Sequence, residues 1–65
     1  MDPKVNQLLQ EIVRLTDNLR REAEECQGYA RNNDKSSTLR NLNDNRDELA
    51  TLNNKWQELT NLLNR

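Results

Sequence analysis

The chain has 65 residues, 32% of them apolar, and its ten basic and eleven acidic residues leave a net charge of −1. One Cys and no His remove internal disulfides, the commonest metal ligand and the usual general base, and a chain this short holds one small domain with a modest core. The charges are evenly spread, so nucleic acid meets no basic face, and no apolar run exceeds two residues, so no segment spans a membrane. By elimination, stability is expected from regular helix packing or from a partner chain.

Asp2-Pro3 reads as a helix start, with Asp accepting from free N–H groups and Pro suited to the first helical position. From there Val5, Leu8, Ile12, Leu15, Leu19, Glu22, Cys26 and Tyr29 advance by alternating steps of three and four. That rhythm keeps them on one side of a helix, with Glu22 as the one charged intruder. Arg20–Glu24, Arg21–Glu25 and Asp17–Arg21 are opposite charges four apart, each such pair adding about 0.2–0.5 kcal/mol. Gly28 is compatible with a left-handed cap or with a helix interior. The apolar phase continues through Tyr29 and favours a helix over about 3–32.

Asn32-Asn33-Asp34-Lys35-Ser36-Ser37-Thr38 is a polar, turn-forming cluster, and Asp34, Ser36 or Ser37 is placed to cap the next helix. The turn is expected at about 33–36 and a second helix at about 37–64. Its seam is read as Thr38, Leu42, Asn45, Leu49, Leu52, Trp56, Leu59 and Leu63, with Trp56 the largest apolar group in the chain.

Two helices of similar length around a short turn fold back antiparallel. A turn near 34 gives partners whose numbers sum to about 68 or 69. Val5 then meets Leu63, Ile12 meets Trp56, Leu15 meets Leu52, Leu19 meets Leu49, and Cys26 meets Leu42. Glu22 falls opposite Asn45 and Arg46. That level is either a polar layer that fixes register and partner choice or a solvated charge pair at the seam edge.

A second stripe follows Leu9, Thr16, Ala23 and Ala30 at intervals of seven, with Val13 beside it. One partner helix does not cover both stripes of the first helix. A third helix or a second hairpin is expected over this flank, with Leu39 and Leu62 lying off the main seam of the second helix. The bland alternative is ordinary surface with only Leu9 and Val13 to explain.

Chemistry is sparse. One Gly offers no phosphate loop, and no metal spacing exists. Asp44, Asp47 and Glu48 read as a solvated face, and Cys26 on the apolar seam reads as buried and inert rather than reactive. No catalytic, cofactor or metal residue is assigned. The lone thiol and the lack of an export signal place the expectation in the cytoplasm. The Met start suits a complete small protein and an excised domain equally.

Leu52-Asn53-Asn54-Lys55-Trp56-Gln57-Glu58-Leu59, with Leu62 or Leu63 and Arg65 after it, resembles the last helix of a spectrin-like repeat, where Leu-Asn-x-x-Trp-x-x-Leu is frequent. The match covers about fifteen residues. The rest would be similar to the second and third helices of that repeat, whose first helix and its Trp have no counterpart here. The resemblance implies a scaffold or tether segment that docks a further helix. Rho-binding antiparallel coiled-coil repeats have a similar layout, and Asp17-Asn18-Leu19-Arg20-Arg21 resembles them, with Leu15 where that pattern has Gly. Small helical co-chaperones of type III secretion are similar in size and shape. Plasmid-copy-control hairpins share the layout but bind RNA through a basic face that this chain lacks.

The expected fold is therefore all-α: an antiparallel two-helix hairpin, a coiled coil that completes a three- or four-helix bundle by association. The expected role is a non-enzymatic protein–protein interaction module or scaffold. Its partners would be protein helices, from a second copy as a homodimer or from another chain as a hetero-oligomer. A small co-chaperone or a Rho-GTPase-binding module is the alternative.

Overall fold

The computed structural model describes residues 1–65 and contains two helices packed antiparallel, α1 over Pro3–Arg31 and α2 over Lys35–Leu63. The body is an elongated hairpin of 48 × 15 × 11 Å. Asp2 caps α1, its carboxylate accepting from the Lys4 N–H at 2.9 Å, and Pro3 takes the first helical position, where no N–H is needed.

The expected turn, about 33–36, is shorter and earlier in the chain, and Gly28 does not end α1. The stop is built on Asn33, the one non-glycine residue with a positive φ, at 58°. The Asp34 N–H donates to the Tyr29 carbonyl at 2.9 Å, and the Asn33 N–H donates to the Ala30 carbonyl at 3.1 Å. These are the two reverse bonds of a Schellman cap, with Asn33 as the left-handed residue. Asn tolerates that conformation better than most side chains. Asp34 then starts α2 at once, its carboxylate accepting from the Ser37 N–H at 3.1 Å while its carbonyl accepts from the Thr38 hydroxyl at 2.8 Å. The hydrogen bonds from Ser37 hold the Asp34 carboxyl below the ordinary carboxylate range. One helix closes and the next opens within Asn32-Asn33-Asp34.

The core lies at the open end of the hairpin, away from the turn. Val5, Leu8, Ile12 and Leu59 form its buried cluster, with Leu52 and Leu62 packed against it. Leu15 and Cys26 are also buried, and Leu19, Glu22 and Tyr29 are half-buried. The inward edge of α1 therefore follows Val5 to Tyr29 in alternating steps of three and four. The Cys26 thiol is turned inward, its Sγ donating to the Thr38 carbonyl at 3.6 Å.

The second helix departs from expectation. Its inward residues are Thr38, Asn41, Asn45, Glu48, Leu52, Lys55, Leu59 and Leu62, all buried or half-buried. Leu42, Leu49, Trp56 and Leu63, expected on the seam, are each more than half exposed, and Trp56 is 59% exposed. The expected and observed faces share Thr38, Asn45, Leu52 and Leu59. The helix is turned so that the other edge of that row meets α1. Two features accompany this. The earlier turn changes the register: with Asn33 at the centre of the connection, partners sum to about 66, and Glu11 pairs with Lys55. The Lys55 stem then lies over the seam while its ammonium reaches Glu11 Oε2 at 3.0 Å. Lys4 reaches Glu58 at 3.4 Å on the same side. Both ion pairs of the molecule cross between the helices, and the expected pairs within α1 are not formed. Both are substantially exposed, worth about 0–1 kcal/mol each.

Two positions test the turn and the helix interior. An added Cβ at Gly28 meets nothing within 4 Å, and its φ is not positive. Gly28→Ala is expected to stabilise the hairpin by about 0.5–1 kcal/mol. Asn33→Gly is expected to change stability by a few tenths of a kcal/mol at most, in the stabilising direction, by relieving the left-handed strain. Asn33→Val should destabilise it, since a β-branched residue there is an outlier. Urea midpoints on the three variants check the set.

Candidate interaction face

The two long faces of the hairpin differ in chemistry. On one side α1 presents Lys4, Glu11, Asn18 and Glu25 and α2 presents Ser37, Asp44, Thr51 and Glu58, each series repeating every seven residues. Both ion pairs lie there. On the other side α1 presents Leu9, Thr16, Ala23 and Ala30, and α2 presents Leu42, Leu49, Trp56 and Leu63. An open hollow of about 540 Å³ has Ala23, Cys26 and Ala30 on its α1 wall and Thr38, Leu42 and Asn45 on its α2 wall, so the two apolar rows flank one surface. A second hollow of about 310 Å³ lies among Leu49, Leu52, Asn53 and Trp56.

The candidate partner face read from sequence (Leu9, Val13, Thr16, Ala23 and Ala30) is thus the α1 half of a wider surface. Leu9, Val13 and Thr16 are exposed, with Val13 at the outer rim, while Ala23 and Ala30 line the first hollow. Its α2 half consists of residues assigned to the hairpin seam. The signal for it was present in their spacing of seven, but that spacing equally fits a buried edge. Of the two residues read as lying off the seam, Leu39 is exposed and Leu62 is packed into the core.

The charged rim of this surface is simple. Arg20 and Glu24, four residues apart, line the first hollow on α1, and Arg46 occupies the outer position on α2 that matches Arg20. Counting from the Glu11–Lys55 pair, nine residues on along α1 and nine back along α2, the two arginine positions fall at one level. Neither belongs to an ion pair, those of the molecule being Lys4–Glu58 and Glu11–Lys55.

Between the faces, midway along the hairpin, the seam turns polar. Glu22 and Asn45 meet there, as the sequence suggested, but the third member is Glu48 rather than Arg46, which is exposed. The turned α2 points position 48 inward and position 46 out. The Glu22 carboxyl lies against that of Glu48, and one oxygen of each, together with Asn45 Oδ1, is buried without a hydrogen-bond partner. Partial burial pushes the Glu22 carboxyl above the ordinary carboxylate range, and Glu48, Asp44 and Glu25 push it in the same direction. At Lys55 the sense is also upward, first through the hydrogen bond to Glu11 and then through its charge.

No group of three or more His, Cys, Asp or Glu side chains is arranged to hold a metal ion, and no helix is long and apolar enough to cross a membrane. Comparison with protein-family models, curated proteins and solved structures finds no match to this chain.

The carboxylate layer has a pH signature. A carboxyl whose folded value is raised stabilises the fold below the unfolded value of 4.5, and that contribution is lost as pH rises through the folded value. Glu48→Gln removes the like charge and offers an amide donor, so it is expected to stabilise the hairpin at pH 7 and to lose that advantage below about pH 4.5. Thermal unfolding of both proteins from pH 3.5 to 8 checks the sign; an advantage constant over that range would contradict it.

Proposed function

We propose that the chain is a non-enzymatic protein-interaction module, a helical hairpin whose open apolar face takes further helices and so completes a three- or four-helix bundle of the coiled-coil kind. The observation that carries this reading is the continuity of the face. Four large side chains on α2 and the Leu9 row on α1 run along one side of a body 48 Å long, uninterrupted by charge within either row. Scattered exposed Leu residues are ordinary on a protein surface, whereas a contiguous apolar strip rimmed by polar groups marks an interaction site. The expectation of a spectrin-like scaffold segment belongs to the same reading, since such a segment also docks a helix beside a pair.

The face is built to hold rather than to react. Its rows contain only Leu, Trp, Thr and Ala. The molecule's nucleophilic Cys26 is turned inward and buried against the Thr38 carbonyl. Large apolar side chains opposite small ones are what a neighbouring helix needs in order to seat its own ridges.

Leu9→Glu combined with Leu49→Glu tests the reading. Both positions are exposed in the hairpin, so helicity at high dilution is expected to survive. Association should weaken by at least about tenfold, given the apolar area that each Glu removes from an interface. Sedimentation equilibrium with circular dichroism on the same samples measures both. A double variant that associates as wild type would refute the reading.

A further inference from the structure

We infer that the occupant of the apolar face is a second copy of this chain, seated about a two-fold axis parallel to the long axis of the hairpin, so that both turns lie at the same end. This rests on the interaction-module reading and goes beyond it by naming the partner and its orientation. The first support is area. The chain exposes 5156 Å², whereas a compact monomer of 7.7 kDa would expose about 4,300 Å². The surplus is close to the roughly 800 Å² that one partner contributes to a standard interface.

The second support is shape. The face has a large row on α2 and a mostly small row on α1. In the Glu11–Lys55 register, Leu49 stands level with Thr16 and Leu42 with Ala23. Rotation about the long axis lays the large row of each copy on the small row of the other. The partner's Leu42 then enters the hollow beside Ala23 and Ala30, and the same contact is made twice, as an isologous interface requires. Every neighbouring pair of helices is antiparallel. The end-to-end alternative lays α2 on α2, with Leu and Trp against Leu and Trp, and leaves Thr and Ala against Thr and Ala. That arrangement is overpacked on one side and hollow on the other.

The aligned arrangement has a recognisable cost. Arg20 and Arg46 share a level, so each Arg20 faces the partner's Arg46 across the rim. Like charges there weaken the dimer modestly at low salt. In the end-to-end arrangement, Arg20 faces α1 of the partner and the opposition is absent.

Two measurements decide the matter. The first places a nitroxide at Asn32→Cys in a Cys26→Ala background and measures the distance between the labels of a dimer. Turns at one end put them within about 30 Å, a few helix spacings. Labels near the 48 Å length of the body would overturn the orientation and leave the interaction-module reading standing. The second needs no cysteine change. Arg46→Glu should tighten the dimer about three- to tenfold at low salt, through two exposed pairs. Arg20→Glu with Arg46→Glu should return it to about the wild-type value. A single variant with unchanged or weaker dimerisation would overturn the orientation. A chain that stays monomeric at millimolar concentration yet binds the apolar dye anilinonaphthalene sulfonate would overturn the second copy as occupant. A monomer that refuses the dye as well would overturn both that assignment and the reading beneath it.

Discussion

A helix that packs against a single neighbour buries one stripe, and both helices of this hairpin are apolar over a wider arc than one stripe. The rest of the molecule depends on that mismatch. On α1 the arc runs from the Leu8 edge through Ile12 to Leu9. On α2 it runs from Leu62 through Leu59 to Trp56. The hairpin closes over the first part of each arc and leaves the second part in water. The residual apolar face is what remains of two three-sided helices when each has been given one partner.

The closed part is itself uneven. Val5, Leu8, Ile12 and Leu59 make a small core at the open end, and the capped turn fixes the other end. Between them Glu22, Asn45 and Glu48 interrupt the apolar contact with acceptors that lack donors. Buried acceptors without partners cost stability, so this level is held by the contacts on either side of it rather than by its own. A carboxylate layer of this kind disfavours sliding by one heptad, because a slip would bring the Glu48 carboxylate to the level of Ile12 or Cys26. The two crossing ion pairs reinforce the same register from outside. They contribute little energy but lie on one face only, which keeps the other face free of charge within its rows.

The all-α class, the antiparallel pairing and the inward edge of α1 were legible because the steps from Val5 to Tyr29 admit one face only. The wide second stripe of α1 was legible for the same reason. The rotation of α2 was not. Thr38, Asn45, Leu52 and Leu59 fit a seam completed by Leu42, Leu49, Trp56 and Leu63, and equally one completed by Asn41, Glu48, Lys55 and Leu62. Hydrophobicity favours the first choice. The structure takes the second, in which the Lys55 stem lies over the seam and its ammonium reaches Glu11. The register was misplaced for a related reason. The turn was expected at about 33–36 with the second helix starting near 37, whereas Asn33 adopts the left-handed conformation and lets Asp34 open the next helix without a spacer. An apolar arc that the hairpin leaves uncovered is the physical reason that the Trp56 edge looked like core in the sequence. It is core in character, and in the hairpin it is exposed.

Trp56 is the single tryptophan in the chain, and its emission reports directly on whether that edge stays in water. The decisive measurement is its emission maximum followed with sedimenting mass from dilute to millimolar protein. If the face is completed by association, the maximum moves to shorter wavelength in step with the rise in mass, at constant helical content. A water-exposed emission and a monomer mass across the whole range would contradict it.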